Sequence, residues 1–285
     1  MERVPTAILM SGTGSNARKL IEHRSPCLDI RLILSDNPAS NSARIAGEHG
    51  IAHRLNDITR FFGPPAPPGS GANEQRRRFQ DRGLREAFDR ETDRLLASFG
   101  IRLVAAAGYA WVLSPFICRR YLMVNVHPGD LRVRDERGRR KYVGLGWIPS
   151  AKAILSGERE AFSTTHLITE ELDGGPLARV SRPVPLELPP GVTRENILPP
   201  GVSLGEVIRD LNRDGGRLYG GSPIVAVARR VQERLKEIGD WVEFPLTLHR
   251  AAALMLAGRL GLDAQGRPQL DGGPVEDLFL QREEA

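Results

Sequence analysis

The chain is 285 residues long, 40% hydrophobic and 26% charged, which is typical of a globular protein with a sizeable buried core. It contains no apolar run of about 18 residues, so no transmembrane helix is predicted. Its first residues lack the length and cleavage pattern of a signal peptide. The two cysteines, Cys27 and Cys118, form neither a metal-binding spacing nor a disulfide framework. A cytoplasmic protein is therefore predicted, with no metal.

The net charge of +5 comes mostly from arginine and favours anionic ligands, such as phosphates or nucleic acid. The charge is spread along the chain, and only residues 137–141 form a basic cluster. Neither a zinc-finger spacing nor an aromatic-rich platform for single strands accompanies this cluster. Small-molecule substrates are therefore predicted as partners, and nucleic-acid binding is the minority interpretation.

The first element is an apolar strand at residues 7–10, followed by a glycine-rich turn at residues 11–16 and a helix start at residues 17–21. Glycines let a backbone approach a phosphate, and the free N–H groups at a helix N-terminus attract anions. The third glycine of the dinucleotide fingerprint is missing. The turn is compatible with phosphate binding and equally with a plain tight turn.

Strands and helices alternate along the rest of the chain. Further strands are predicted at residues 30–35, 51–54, 101–107, 121–128, 163–168 and 178–186, and helices at 39–49, 73–100, 115–121, 148–156, 204–211, 222–238 and 245–257. This order predicts an α/β fold with a doubly wound, mostly parallel, Rossmann-like sheet and helices on both faces. The last helices and a hairpin at residues 261–273 are predicted to form a C-terminal extension.

The strongest chemical pattern lies in the run of residues 121–128. Asn125 and His127 are two positions apart, so they point to the same side of a strand whose carboxyl end is the usual ligand-binding edge. A second short strand is followed by Asp173 on a Gly-Gly-Pro turn. An amide, an imidazole and a carboxylate can hold an oxyanion, move a proton and orient the base. Taken singly, the histidine can be structural and the aspartate a turn residue.

Several motifs stand in one order: residues 8–16, 85–90, 107–115, 124–128 and 165–176, with a weaker match at residues 239–245 and 257–259. Together they resemble the phosphoribosylglycinamide formyltransferase family, over most of the chain from residue 7 to about residue 260. Asn-x-His-Pro followed by Glu-Leu-Asp-Gly-Gly-Pro is the specific part. The resemblance implies one formyltransferase-like domain over residues 1–285, with an acceptor-binding half (1–100), a folate-binding and catalytic half (101–185) and the extension (186–285).

The resemblance implies transfer of a formyl group from the co-substrate 10-formyltetrahydrofolate to the amine of glycinamide ribonucleotide, in purine biosynthesis. The predicted partners are a reduced folate and a phosphorylated amine acceptor, and the chain would be a monomer or homodimer. Related chemistry leaves alternatives open: a sugar-nucleotide or aminoacyl-tRNA acceptor, or hydrolysis of the formyl donor. A non-catalytic folate- or nucleotide-binding module is the alternative from another class.

The resemblance also implies roles for the paired residues. Asn125 would donate a hydrogen bond to the oxyanion, and His127 would stabilise it and carry a proton from the amine to the leaving nitrogen. Asp173 would orient His127, directly or through a water, and its charge would raise the pKa of the imidazole. His166 would have a supporting role.

By the same resemblance, the two substrates would meet separate groups of residues. The acceptor and its phosphate would contact Gly14, Ser15, Asn16, Arg85, Gly108 and Asp240, and the folate would contact Trp111, Val112, Leu113, Ile168, Glu170 and Glu171. Arg85 can equally be a solvated charge on a helix.

The sequence departs from the family pattern around the site. Gly129 and a polar, basic loop follow His127-Pro128 where a Ser-Leu-Leu-Pro segment is usual, and Trp111 stands where an arginine is common. Extra material lies at residues 63–72, which reads as a surface insertion, and at 130–142 and 186–220. These departures bear on the identity of the acceptor more than on the chemistry.

Overall fold

A seven-stranded sheet forms the centre of the structure, a computed structural model that describes residues 2–63 and 80–282. The strands are β1 (Val4–Met10), β2 (Leu28–Ser35), β3 (Ala52–Leu55), β4 (Leu103–Ala106), β5 (Leu122–His127), β6 (Glu160–Ala161), β7 (Thr164–Leu167), β8 (Leu177–Val180), β9 (Val184–Pro185), β10 (Leu260–Leu262), β11 (Pro268–Leu270) and β12 (Gly273–Pro274). The order in the main sheet is β3-β2-β1-β4-β5-β7-β8. The first five strands of that order are parallel, β7 runs antiparallel to β5, and β8 runs antiparallel to β7. The predicted mostly parallel, doubly wound sheet is confirmed.

Helices cover both faces of this sheet. They are α1 (Ser15–Glu22), α2 (Ser42–His49), α3 (Thr59–Phe62), α4 (Arg82–Ser98), α5 (Pro115–Cys118), α6 (Ile148–Leu155), α7 (Leu204–Asp214), α8 (Pro223–Leu235), α9 (Phe244–Leu256) and α10 (Phe279–Arg282). Successive residues of β1 point to opposite faces. Ile8 and Met10 pack in one apolar cluster with Leu248 of α9, and Ala7 and Leu9 pack in the other with α4. Residues 7–10 are fully buried on both faces of the strand, which explains the continuous apolar run of β1.

The direction of the chain through the sheet places a crevice at one edge. From β1 the chain runs outward through β2 to β3, and it then returns to the other side of β1 to form β4 and β5. The order reverses between β1 and β4, and open α/β sheets bind ligands outside the carboxyl ends of strands at such a point. Met10, Ala106 and His127 are the last residues of the three strands that meet there.

The residues after β9 form a smaller apolar core beside the sheet. Ile197 and Val207 pack against Ile154 of α6 and Ile224 of α8. Helix α7 begins with a capping box, in which Ser203 and Glu206 satisfy each other's backbone N–H groups. The three short strands β10 to β12 form a separate antiparallel sheet, which contains the predicted hairpin and adds a third strand to it. The C-terminal extension of helices and hairpin strands is thus confirmed.

The predicted helix over residues 222–238 is interrupted. Helix α8 ends at Leu235, a π-helical segment covers Lys236–Glu243, and α9 follows without a break. Gly239 lies in this segment because a Cβ there would overlap the Ser163 side chain. A widened turn of this kind leaves no mark in a 3.6-residue pattern, and such turns are frequent at functional sites.

Smaller differences lie at element ends. Helix α5 stops at Cys118 rather than at residue 121, and residues 178–186 divide between β8 and β9. Helices α3 and α10 were not predicted. Residues 64–72 of the predicted insertion, and the first residues of the predicted helix 73–100, lie outside the described residues. Within the described chain, no helix has the length and apolarity needed to cross a membrane.

Candidate active site

A cleft of about 470 Å³ opens at the carboxyl ends of β1, β4 and β5. Nearly all the site residues predicted from the sequence line this cleft. They are Gly14, Ser15, Asn16, Gly108, Trp111, Val112, Leu113, Asn125, His127, His166, Ile168, Glu170, Glu171, Asp173 and Asp240. Arg85 is not among the described residues that line it. Residues separated by more than 200 positions in the chain therefore share one cleft.

Asp173 lies between two imidazoles at the floor of the cleft. Its Oδ2 is 3.6 Å from Nδ1 of His127, and its Oδ1 is 3.7 Å from Nε2 of His166. In the β5–β7 pairing Asn125 stands opposite His166, so their side chains share a face with His127. Asp173 reaches this position from a turn in which its own φ is +52°. The structure thus brings together Asn125, His127 and Asp173, the amide, imidazole and carboxylate singled out in the sequence.

His166 fixes the orientation of Asn125. Nδ1 of His166 is 3.0 Å from the Leu167 carbonyl oxygen, which can only accept, so this nitrogen carries the proton. Nε2 must then accept, and it lies 3.2 Å from Nδ2 of Asn125. Burial lowers the pKa of His166 to about 4, which keeps the ring neutral. The second N–H of the Asn125 amide is left available for a ligand in the cleft.

His127 is held as a neutral base. Its Nε2 donates to the Tyr142 carbonyl oxygen at 2.8 Å, so the unprotonated nitrogen is Nδ1, which faces Asp173. Burial lowers the pKa of His127, outweighing Asp173 and the Tyr142 carbonyl, which raise it. The net direction is therefore opposite to the effect expected of Asp173 alone. The charge of Asp173 acts as expected, but the imidazole is only 4% exposed and desolvation dominates.

The opposite end of the cleft is built by the start of α1. Gly14 precedes the helix with φ of +79°, and a Cβ there would meet the Ile45 side chain and, at 2.8 Å, Cε of Met10. Only glycine fits this close turn, which leaves the first N–H groups of α1 facing the cleft. Nδ2 of Asn16 donates to Oδ2 of Asp240 at 2.7 Å. This end therefore offers backbone donors for an anion beside one carboxyl group.

Asp240 carries a pH-dependent cost to stability. Burial raises the pKa of Asp240 to about 7, above the value of about 3.9 for a solvated aspartate. The folded state thus binds this proton more tightly than the unfolded state does. Its contribution to stability is full below about pH 4, falls as the pH rises towards 7, and is constant above that.

We expect Asp240→Asn to remove this dependence. The variant should match wild type near pH 4 and exceed its unfolding free energy by on the order of 4 kcal/mol at pH 8, while losing activity. Thermal unfolding at pH 5 and pH 8 measures the difference. Asp29→Asn, a partly exposed residue beside Arg31, is the control and should leave the wild-type pH dependence in place. Equal pH dependence in wild type and Asp240→Asn would contradict the prediction.

Residues 4–185 match the model of the formyl transferase family. The chain belongs to this family. Phosphoribosylglycinamide formyltransferase of Escherichia coli is 34% identical over 179 residues, covering 60% of this chain and 68% of that protein. The trifunctional purine biosynthetic protein adenosine-3 of Gallus gallus is 28% identical over 178 residues, covering 61% of this chain but 15% of that protein. The chain thus spans only a small part of this larger relative.

The solved structures of formyl transferases share the fold. Phosphoribosylglycinamide formyltransferase of Coxiella burnetii, solved in complex with CHES, superposes with a TM-score of 0.57 at 20% identity, covering 96% of each chain. The protein of that name from Brucella melitensis gives 0.56 at 22% identity, covering 88% of this chain and 97% of that one. The family resemblance noted in the motifs is confirmed.

In this formyl transferase, Trp111 turns into the core while its loop borders the cleft. Its ring lies 4.9 Å from the rings of Phe62 and Phe88, and its Nε1 donates to Oδ1 of Asp89 at 3.0 Å. Arg85 donates from Nη2 to the Val112 carbonyl at 2.8 Å. Arg85 therefore supports the predicted folate-binding loop from outside the cleft, a position that differs from the predicted contact with the acceptor.

The sequence did not predict the polar groups around His127 that come from the loop after it and from α6. The Tyr142 carbonyl binds His127, and Nζ of Lys152, whose pKa burial lowers, donates to the Val143 carbonyl at 2.5 Å. A backbone carbonyl has no residue signature, so only the departure from the family motif marked this loop. Among the described residues, no group of three histidine, cysteine or acidic side chains is arranged to hold a metal ion.

Proposed function

We propose that this chain transfers the formyl group of 10-formyltetrahydrofolate to the amine of glycinamide ribonucleotide, a step of purine biosynthesis. The observation that carries the proposal is the joining of Asn125, His127 and Asp173 in one cleft with the open N-terminus of α1. The first group suits acyl transfer, and the second suits a phosphate. The Escherichia coli relative is named for this reaction.

The proposed reaction begins with attack of the neutral amine on the formyl carbon. The new C–N bond turns the carbonyl oxygen into an oxyanion, to which the free N–H of Asn125 donates. Neutral His127 accepts the amine proton at Nδ1, and the imidazolium formed then donates towards Oδ2 of Asp173. The 3.6 Å gap is longer than a hydrogen bond and closes as charge develops.

Collapse of the intermediate completes the transfer. The bond from the formyl carbon to N10 of the folate breaks, and N10 takes the proton that His127 carried from the amine. The net result is one C–N bond formed, one broken and one proton moved, so neither a metal nor a redox partner is required. The lowered pKa of His127 suits this role because the ring returns readily to its neutral form.

The two substrates are proposed to enter from opposite ends of the cleft. The phosphate of the acceptor binds the N–H groups at Gly14, Ser15 and Asn16, while Asp240 faces its amine-bearing part. The folate lies along residues 111–113 and 168–171, where Val112 and Ile168 provide apolar contact. We further propose that residues 1–285 act as one domain, in the cytoplasm. The choice between monomer and homodimer stays a prediction.

The proposal is tested by supplying 10-formyltetrahydrofolate with either glycinamide ribonucleotide or its unphosphorylated riboside. We expect formylation of the ribonucleotide with kcat/KM at least about 30-fold higher, the equivalent of ~2 kcal/mol from phosphate binding at a helix N-terminus. Formate release without formylated product would indicate a hydrolase instead. Equal use of both acceptors would contradict the phosphate site, and absence of folate binding would contradict the function.

A further inference from the structure

One arginine of the basic loop is buried against the turn that carries Asp173. The side chain of Arg140 is 6% exposed, whereas that of its neighbour Arg139 is 69% exposed and pairs with Asp135. Nη1 of Arg140 donates to the Asp173 carbonyl at 2.6 Å, and Nη2 donates to the Gly175 carbonyl at 2.7 Å. One rigid, planar guanidinium thus holds the carbonyls on both sides of Gly174.

This turn needs an external support. Asp173 adopts a φ of +52°, in the left-handed region that costs a non-glycine residue on the order of 1 kcal/mol. Gly175 packs so closely that a Cβ would overlap the Leu167 carbonyl oxygen. Within the turn, the N–H of Gly174 donates to the Glu171 carbonyl at 3.0 Å. Without Arg140, the Asp173 and Gly175 carbonyls would lose the charged donors that fix them in this conformation.

The same loop also contacts His127, which faces Asp173. The Tyr142 carbonyl accepts from Nε2 of His127, and Gly129 makes room for it. A Cβ at residue 129 would overlap that carbonyl oxygen and stand 3.0 Å from Nε2 of His127. The glycine that replaces the usual serine after His-Pro is therefore matched to the extra loop.

Backbone hydrogen bonds within the loop hold Arg140 in place. Arg134 and Arg140 form an antiparallel bridge, and the N–H of Lys141 donates to the Val133 carbonyl at 2.9 Å. On its far side, Arg140 lies 3.8 Å from Oδ1 of Asp277, which also accepts from the Leu177 N–H. The guanidinium is thus fixed between the C-terminal segment and the Asp173 turn.

We propose that Arg140 is a positioning residue that holds Asp173 towards His127. The role of the extra residues 130–142 is therefore to support the rate of formyl transfer, rather than to bind a polyanionic substrate. This inference rests on the proposed function. The loop would clamp both members of the proton-transfer pair, Tyr142 through a carbonyl and Arg140 through its guanidinium.

The test compares Arg140→Gln with the matched variant Arg139→Gln, which removes a charge from the same loop at an exposed position. We expect Arg140→Gln to lower kcat by about 10- to 100-fold with both KM values within about twofold, since small misplacements of reacting groups have effects of that size. Arg139→Gln should match wild type. Arg140→Lys keeps the charge but loses the planar pair of N–H donors, and its kcat should lie between those of the two glutamine variants.

Hydrogen exchange of the substrate-free protein gives a readout that needs no activity. We expect the Gly174 amide to exchange about tenfold faster or more in Arg140→Gln, and unchanged in Arg139→Gln. If the wild type transfers no formyl group, the proposed function fails, but this exchange difference still tests the positioning role. If Arg140→Gln does not fold, Arg140→Lys is measured in the same way and should show a smaller acceleration.

Three results would overturn the inference. The first is turnover and exchange in Arg140→Gln equal to those of Arg139→Gln. The second is a loss of kcat with unchanged exchange, which would mean that Arg140 acts on the substrate itself. The third is an equal, salt-dependent rise of the acceptor KM in both variants, which would indicate a docking surface for a polyanion.

Discussion

Replacing His127 with alanine is expected to lower kcat for formyl transfer by about 10³-fold, within the range of a general acid–base catalyst. The KM values should stay within a few-fold, because the proton moves only in the transition state. Without the imidazole, the amine proton has no acceptor beside Asp173, whose carboxylate is then left facing an empty space. Steady-state assays with glycinamide ribonucleotide measure both constants.

His53→Ala is the matched control for this experiment. His53 lies on β3 at the far edge of the sheet, where its Nε2 is 2.9 Å from the Ser42 hydroxyl. The control should turn over at the wild-type rate. If His127→Ala kept more than about a tenth of the activity while remaining folded, His127 could not be the proton carrier.

The second large effect is expected at Asn125. Asn125→Ala removes the donor to the oxyanion and should lower kcat by about 10²- to 10³-fold. Asn125→Asp is nearly isosteric, but its carboxylate offers acceptors where a donor is required, and it adds a negative charge near Asp173. We expect its loss to be at least as large as that of the alanine variant.

This pair of variants separates charge from shape. A purely steric role predicts that the aspartate variant retains activity and the alanine variant loses it. Donation to an oxyanion predicts that both lose it, with folding unchanged in each. Pre-steady-state measurement of product formation determines whether the loss is in the chemical step.

The sheet and the paired residues could be predicted because they depend on local patterns. The apolar run of β5 predicts a buried strand, and a spacing of two positions puts Asn125 and His127 on one face. The switch in strand order then places their ends at the cleft. Asp173 and His166 followed from a motif in which the order of residues is specific.

The net pKa of His127 could not be predicted in the same way. Its sign depends on the balance between one nearby carboxylate and desolvation, and desolvation is set by residues scattered along the chain. Arg85 donates to the Val112 carbonyl, and the buried Arg140 donates to the Asp173 carbonyl. Backbone carbonyls leave no pattern in a sequence, so neither contact could be predicted. The π-helical segment carries Gly239 against Ser163, a tertiary contact that leaves no periodic pattern in the sequence.

That packing at Gly239 joins the two ends of the cleft. Gly239 lies against Ser163, and the Ser163 hydroxyl donates to the carbonyl of His127 at 3.2 Å. Asp240 is the next residue, so the wall proposed to face the acceptor rests on the end of β5 that carries His127. We therefore expect that widening the proposed acceptor end for a bulkier amine would also move His127. If the proposed function holds, the size of the accepted substrate and the rate of its reaction would both depend on Gly239.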